Sequence, residues 1–208
     1  MKIILAILLF IITFFSFAYI ADVVVIDKDY AIDKCLQSFV DVHRSPAATS
    51  FFYGITFGGS PLFLIPAYLI LIAIYVSKKR KRTAINIAIV GLSSTAILFL
   101  LKEIFKRHRP YNPLIQAVNS FSFPSGHSFS SFTFYGVIIY LIWKGRMQQW
   151  KKIVITALLI LLAATIAYSR VYLRVHYPSD VIAGFCLSIV WLILSFAVLT
   201  RRRLFKNS

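Results

Sequence analysis

One polar stretch between two long apolar runs carries three side chains that can do chemistry: Arg170, His176 and Asp180. Pro178 suits the first turn of a helix, where its missing N–H costs nothing, so a helix is predicted to begin near Tyr177. If the first turn includes His176, the i, i+4 spacing places its imidazole beside Asp180. The carboxylate would fix one ring nitrogen and leave the other as a nucleophile or base. The alternative is a capped helix with an ordinary polar entrance.

Two more polar clusters flank the apolar runs that precede this stretch. Lys102 and Arg109 follow the third run, and Pro124-Ser125-Gly126-His127 opens the fourth. Lys102, Arg109 and Arg170 would repel one another without a counterion, and a phosphate offers several oxygens to share among them. The helix start adds free N–H groups and the positive end of the dipole, and Gly126 permits close backbone approach. These residues together predict a phosphate site.

The two histidines suggest a division of roles in phosphoryl transfer. His176, supported by Asp180, is predicted to be the nucleophile that forms a phosphohistidine, and His127 to protonate the departing oxygen and later activate water. After Asp41 the chain has only two acids, Glu103 and Asp180, so no carboxylate cluster is available for magnesium. Iron or zinc on the histidines and the aspartate is the alternative, although three cations would oppose a metal. No cofactor is predicted.

The composition indicates a membrane protein. Of 208 residues 59% are hydrophobic, and the mean hydropathy is +0.79, far too apolar for a soluble domain. The formal net charge of +16 is better explained by topology determinants and anion ligands than by nucleic-acid binding. The two cysteines, Cys35 and Cys186, do not suggest a structural disulfide.

The hydropathy pattern predicts an all-α polytopic protein, a single transmembrane domain over residues 1–208. The first run could be a signal peptide, but it is longer than a usual signal core and is predicted to be retained. A break is expected at Gly58-Gly59-Ser60. Between the first two spans, Ile32, Leu36 and Phe39 recur at helical spacing and predict a short amphipathic helix, in the membrane interface or packed on the bundle. The predicted spans are 3–21, 51–76, 84–101, 124–143, 153–169 and 178–199.

Charge predicts the orientation of these spans. Six spans place both termini on one side, where the connections carry fourteen cations and no acid, while the other side has nine cations and all seven acids. By the positive-inside rule the termini are cytoplasmic and the polar clusters share the extracytoplasmic level. Groups distant in sequence that converge at one depth favour a site. Four further residues there are assigned to other roles: His108 to the loop, and Lys106, Arg107 and Arg174 to attracting anionic lipid headgroups.

The three clusters resemble the signature of the type 2 phosphatidic acid phosphatase superfamily. That signature joins lysine, six residues and arginine-proline; proline-serine-glycine-histidine; and serine-arginine, five residues, histidine, three residues and aspartate. Every position matches, within residues 102–110, 124–127 and 169–180. The resemblance implies a metal-independent membrane lipid phosphatase of six transmembrane helices whose site opens toward the outer leaflet. It implies His176 as nucleophile, Asp180 as its partner and His127 as acid, with phosphate bound by Lys102, Arg109, Ser125, Gly126 and Arg170.

The substrate stays open at this stage. A lipid phosphate is expected, with phosphatidylglycerophosphate favoured slightly over undecaprenyl pyrophosphate, whose dephosphorylation recycles the cell-wall carrier. Phosphatidate is a further candidate. The related vanadate-dependent haloperoxidases are soluble, and six apolar spans argue against that class. A non-enzymatic lipid-phosphate binder or transporter is the remaining alternative, which an intact nucleophile and acid disfavour. The expected partners are the lipid substrate and the bilayer, with no nucleic acid and no obligate protein partner.

Overall fold

The structure, a computed structural model, describes residues 2–116 and 120–201, and the regular structure in those ranges is all helical. The C-terminal cations from Arg202 onward lie outside the described residues. A π-helical turn, Asp22–Ile26, extends the first helix, and a 3₁₀ turn, Thr56–Gly59, separates the third helix from the fourth. The eight α-helices are α1 (Lys2–Ala21), α2 (Ala31–Val42), α3 (Pro46–Ile55), α4 (Pro61–Ser77), α5 (Lys81–Phe105), α6 (Gly126–Lys144), α7 (Gln149–Tyr172) and α8 (Pro178–Arg201).

Within residues 2–116 and 120–201, four segments are long and apolar enough to cross a membrane: Ile3–Ile26, Lys81–Phe105, Gln149–Tyr172 and Pro178–Leu199. Helices α3 and α4 together are also long and apolar enough, although their axes differ by 42°. They give a fifth candidate if they form one broken span. The predicted break in the second span is therefore confirmed. Ser60 caps α4, its side chain accepting from the N–H of Phe63, and the prolines that open α3 and α4 suit first turns.

The predicted fourth span, α6, is not among these segments. Its N-terminal half carries hydroxyl side chains that lower its hydropathy, and Ser128, Ser131 and Thr133 are fully buried inside the bundle. α6 packs against α5, α7 and α8, so these hydroxyls face helices and not the surroundings. Small polar residues of this kind allow helices to approach closely in membranes.

The bundle is held by apolar contacts along α6. On one side Phe134 and Tyr135 pack with Leu64 of α4 and Ile166 of α7, and on another Val137 packs with residues of α5 and α8. α1 lies against α8. Because α5 and α7 end where α6 and α8 begin, four helix ends meet at one end of the bundle. That end also receives the break between α3 and α4, which contacts α6 and α7.

Helix α2 lies over that same end. It contacts α7 and α8, and its Val40 packs against the connection between them. Its outward side is apolar, with Ile32 70% and Phe39 65% exposed, whereas Asp33 is only 2% exposed. A helix therefore lies at this position, and the side of it that faces the protein carries Asp33 as well as Val40.

Candidate active site

His176 lies in the connection between α7 and α8, at the mouth of α8. Its side chain is 2% exposed, and its Nδ1 lies 3.3 Å from Oδ2 of Asp180, in the first turn of α8. Its Nε2 lies 3.2 Å from Nη1 of Arg109. Since a guanidinium can only donate, Nε2 must accept, which places the proton on Nδ1, facing Asp180. The lone pair on Nε2 therefore faces the cationic cluster.

The carboxylate of Asp180 is fully buried and surrounded by donors. Its Oδ2 accepts from the backbone N–H of Tyr177 at 3.0 Å and from the hydroxyl of Ser122. The hydroxyl of Ser122 also lies 3.3 Å from Nδ1 of His176. Oδ1 of Asp180 accepts from Nη1 of Arg107 at 2.5 Å. These bonds fix both the position of the carboxylate and its rotation.

Two cations approach His176 from the connection between α5 and α6. Lys102, at the end of α5, is 8% exposed and donates to the carbonyl of Phe121. Arg109 donates through Nη1 to the carbonyl of Val175 at 2.8 Å and through Nε to that of Ser120 at 2.8 Å. Lys102 is thus held by a carbonyl of the α5–α6 connection, and Arg109 by carbonyls of that connection and of the one that carries His176.

Arg170 approaches from the last turn of α7 and is 6% exposed. Its Nη1 donates to the hydroxyl of Thr56 at 2.6 Å, at the break between α3 and α4. Its Nε is buried with no hydrogen-bond partner among the described residues. A buried donor left unpaired costs free energy, so an acceptor brought by a ligand would relieve that cost.

His127 stands on the opposite side of the cluster, in the first turn of α6. The break between α3 and α4 packs against it so closely that a Cβ added at Gly59 would lie 3.1 Å from Cδ2 of His127. A Cβ added at Gly126 would lie 4.0 Å from Cε of Lys102. Lys102 therefore reaches the start of α6. Lys102, Arg109 and Arg170 are all within electrostatic range of both imidazoles.

Ser125 caps α6 and is fully buried. Its hydroxyl accepts from the N–H of Ser128 at 3.5 Å, and its own N–H donates to the carbonyl of Asp180 at 3.0 Å. The backbone of Ser125 is thus already used to join α6 to α8. The first-turn N–H groups of a helix have no intrahelical partner, so Gly126 and His127 supply the donors at this helix end.

The electrostatics of the site keep His176 neutral. Burial lowers the pKa of His176 well below the usual histidine range, and the three cations lower it further. A neutral imidazole with its proton on Nδ1 carries its lone pair on Nε2, where it accepts from Arg109. A bound phosphate would offset the charge of the three cations, which disfavours the imidazolium.

The structure brings all eight predicted site residues to one end of the bundle. It also adds to their surroundings Ser122 and Thr56, which the sequence did not single out, and Arg107, which the sequence analysis assigned to lipid headgroups. The assignment of Arg107 to lipid headgroups is wrong, because its side chain is 3% exposed and pairs with Asp180 and Asp33. Arg174 pairs with Asp41 instead of standing free. His108 and Lys106 are exposed.

Three similarities bear on what such a site does. The family model of the PAP2 superfamily matches residues 83–204. Phosphatidylglycerophosphatase B of Bacillus subtilis (strain 168) is 30% identical over 180 residues, which cover 85% of this chain and 88% of that protein. A protein of Escherichia coli (strain K12), named provisionally as an undecaprenyl-diphosphatase, is 32% identical over 142 residues, or 62% of this chain and 67% of that protein.

A solved structure extends the similarity to the fold. The crystal structure of a transmembrane PAP2-type phosphatidylglycerolphosphate phosphatase from Bacillus subtilis superposes with a TM-score of 0.84 at 26% identity. The superposition covers 96% of this chain and 98% of that one. The likeness therefore includes α1, α2 and the broken span, which lie outside the range of the family model.

Proposed function

Since this chain belongs to the PAP2 superfamily and is a membrane lipid phosphatase, we propose that it removes the terminal phosphate of phosphatidylglycerophosphate or a related lipid phosphate through a phosphohistidine on His176. The observation that carries this proposal is the environment of His176, whose Nδ1 faces Asp180 at 3.3 Å while its Nε2 faces Arg109. That arrangement supports an imidazole whose Nε2 lone pair faces the anion site, where a bound phosphate would take over the donor of Arg109.

In the first step, Nε2 of His176 attacks phosphorus, and the bond between phosphorus and the lipid oxygen breaks. The leaving oxygen takes a proton from His127, whose imidazolium form is favoured once the phosphate anion offsets the charge of the three cations. The phosphorylated ring of His176 becomes cationic, and Asp180 stabilises that charge through the proton on Nδ1. Lys102, Arg109 and Arg170 balance the negative charge of the transferring phosphoryl group, the task that metal ions perform in many other phosphatases.

In the second step, water attacks the phosphohistidine while His127, now neutral, accepts a proton from it. The bond between phosphorus and Nε2 breaks, inorganic phosphate leaves, and both histidines return to their starting states. Gly126 contributes its backbone N–H to the phosphate and Ser125 holds the helix start in place. No step calls for a metal ion.

We further propose that α6 completes a set of six spans, with both termini cytoplasmic and the site at the extracytoplasmic surface. The support is the charge distribution, fourteen cations and no acid on the side of the termini. α2 would then lie in the outer interface, with the exposed Ile32 and Phe39 toward lipid.

Phosphatidylglycerophosphate is the favoured substrate because the relative that matches along most of both chains is a phosphatidylglycerophosphatase. Undecaprenyl pyrophosphate is the second candidate, supported by the Escherichia coli relative. The residues of the site bind a terminal phosphoryl group and cannot distinguish the two.

The decisive experiment measures phosphate release by purified protein in detergent, with chelator present, from phosphatidylglycerophosphate, undecaprenyl pyrophosphate and phosphatidate. We expect release that survives the chelator and falls by at least about 10³-fold in His176→Ala. The reaction of wild-type protein with a substrate that carries a radiolabelled terminal phosphate would be quenched. Label on the protein that is stable to base and labile to acid would identify the phosphohistidine. Loss of release with chelator, or an active His176→Ala, would contradict the mechanism, and the relative kcat/KM values rank the lipids.

A further inference from the structure

Arg107 lies outside the phosphate cluster but inside the protein. Its guanidinium binds two carboxylates, with Nη1 2.5 Å from Oδ1 of Asp180 and Nη2 2.6 Å from Oδ2 of Asp33. All three side chains are at most 3% exposed. The two acids come from different helices, α8 and α2. A planar fork with two donor edges can bridge two carboxylates in a fixed orientation, whereas a lysine ammonium presents all its donors from one freely rotating nitrogen.

Asp33 is tied to α8 as well as to Arg107. Its Oδ1 accepts from the backbone N–H of Ser179 at 2.9 Å, and its Oδ2 accepts from the Ser179 hydroxyl at 2.7 Å. The same hydroxyl accepts from Nη1 of Arg107 at 2.8 Å. Asp33 therefore holds the first turn of α8, which carries Asp180, and the guanidinium that binds Asp180.

The bridge determines which oxygen of Asp180 serves His176. Arg107 occupies Oδ1, so Oδ2 is the oxygen that faces Nδ1 of His176 at 3.3 Å. Without Arg107 the carboxylate could rotate about its Cβ–Cγ bond toward other donors. Because Arg107 carries one positive charge and is shared between two carboxylates, Arg107, Asp33 and Asp180 together carry one net negative charge. Asp180 thus keeps charge to stabilise an imidazolium at His176.

Stacking holds the guanidinium in place. Its central carbon lies 4.2 Å from the ring centroid of Tyr177 and 5.1 Å from that of Tyr30. Burial alone would disfavour the charge of Arg107, but Asp180 and Asp33 raise its pKa. The cation at this position is therefore permanent over the working pH range.

We propose that Arg107 and Asp33 are positioning residues for the phosphatase reaction. Arg107 holds the carboxylate of Asp180 in the rotation that serves His176, and Asp33 holds Arg107. The proposal rests on the proposed role of His176 as nucleophile. It makes a residue of α2, 69 positions before the first signature lysine, part of the apparatus that orients the nucleophile.

A second ion pair supplies a matched control. Asp41, on the same helix as Asp33, pairs with Arg174 of the connection that carries His176. Its side chain is 25% exposed and has no bond to Asp180. Asp33→Asn and Asp41→Asn each remove one carboxylate that anchors α2, but only Asp33→Asn disturbs the bridge.

The test compares Asp33→Asn, Asp41→Asn and Arg107→Lys with wild type, measuring kcat, KM and melting temperature in detergent. We expect Asp33→Asn and Arg107→Lys to lower kcat by about 10- to 100-fold with KM within about twofold, as for other residues that orient a functional histidine. Asp41→Asn should change kcat by less than about twofold, since exposed ion pairs contribute little. Combining Asp33→Asn with Arg107→Lys should cost no more than Arg107→Lys alone.

Several results would overturn the proposal. Equal kcat values for Asp33→Asn and Asp41→Asn would mean that Asp33 only docks α2. A rise in KM at constant kcat would make Arg107 a phosphate ligand. If Arg107→Lys has a much lower melting temperature than wild type, the kcat of Asp33→Asn decides the question. That variant keeps an oxygen acceptor for Ser179. His176→Ala distinguishes failure of the proposed function from failure of this inference. An active His176→Ala contradicts the proposed function. An inactive His176→Ala together with a fully active Arg107→Lys contradicts only the positioning role of Arg107 and Asp33.

Discussion

At the scale of single residues, the bonds to Asp180 define what its substitution should do. Both of its oxygens accept hydrogen bonds, Oδ1 from Arg107 and Oδ2 from Ser122 and the N–H of Tyr177. An asparagine has only one accepting oxygen, so its amide group must face a donor in either orientation. With the amide on the His176 side, the imidazole would take the other tautomer, and Nε2 would carry the proton.

We therefore expect Asp180→Asn to fold but to lose about 10²- to 10⁴-fold in kcat, the range seen when a histidine loses its orienting carboxylate. The measurement is single-turnover phosphate release with saturating lipid phosphate. Some activity should remain, because Asp180 does not itself attack phosphorus. Wild-type kcat would make Asp180 only a cap of α8.

The low pKa of His176 predicts how stability changes with pH. Burial, followed by the charges of Arg109, Lys102 and Arg170, lowers this pKa below that of the unfolded chain, about 6.5. As the pH falls below that value the unfolded state takes up a proton that the folded state does not. Stability is then lost at up to about 1.4 kcal/mol per pH unit, and the loss is absent above neutral pH.

His176→Gln removes this dependence while keeping groups that can bond Arg109 and Asp180. In phosphate-free detergent, we expect the melting temperature of the wild type to fall more between pH 7 and pH 5 than that of His176→Gln. Parallel curves for the two proteins would show that His176 is not held neutral. Added phosphate should reduce the difference, because an anion favours the imidazolium.

At the scale of elements, the break between α3 and α4 places part of the site. Thr56 bonds Arg170 there, and Gly59 meets α6 and α7 at close range. A Cβ at Gly59 would lie 2.6 Å from Cγ2 of Ile166 and 2.7 Å from Oγ of Ser131. Neither atom can yield easily in a packed bundle. The glycine is therefore required by proximity and not by an unusual backbone angle.

Gly59→Ala should destabilise the protein by about 1–3 kcal/mol through overpacking and should lower activity by displacing His127. Gly54→Ala is the control, because a Cβ there meets nothing within 4 Å and alanine favours the helix by about 1 kcal/mol. Melting temperatures and phosphate release of the two variants would show the contrast. A Gly59→Ala protein as stable and active as Gly54→Ala would mean that the break has room to move.

The elements that sequence predicted well are those with a strong local signal. Proline and a capping serine marked the starts of α4 and α6, and proline marked that of α8, while the diglycine marked the break. Contacts between distant segments had no such signal. Arg107 is one residue among several cations near a helix end, and only its burial between Asp33 and Asp180 separates it from a lipid-facing arginine.

Asp33 shows the same limit from the other side. Its neighbours Ile32, Leu36 and Phe39 predicted a helix. The pattern did not decide whether the apolar side of that helix faces the membrane interface or packs on the bundle. In a membrane protein an apolar helix side can face lipid while the polar side faces the protein, the reverse of a soluble domain. An acid on such a helix is a candidate for burial against a cation. Ser122 and Thr56 carried no comparable signal.

At the scale of the whole molecule, the two ends of the bundle differ in charge and chemistry. The acids and the site gather at one end, where α2 and the residues that directly follow α5 lie. The other end has the cations of 78–82 and 144–152 and no acid. Along α5 the two ends are about 30 Å apart at 1.5 Å per residue, the thickness of a bilayer core. The molecule thus has one end for each membrane surface.

The natural cysteines allow the orientation to be tested with few substitutions. Cys35 is exposed on α2, at the end of the bundle that holds the site, whereas Cys186 is buried within α8. In the Cys35→Ser background, a cysteine replacing Tyr111, which is 91% exposed in the connection beside the site, should react with a membrane-impermeant maleimide in right-side-out membrane vesicles, and Cys35→Ser alone should not. In the Cys35→Ser background, a cysteine replacing the exposed Ser77, at the opposite end, should react only after the vesicles are opened. Labelling of the Ser77→Cys variant in closed vesicles, with no labelling of the Tyr111→Cys variant, would contradict the proposed topology and place the phosphatase site at the cytoplasmic surface.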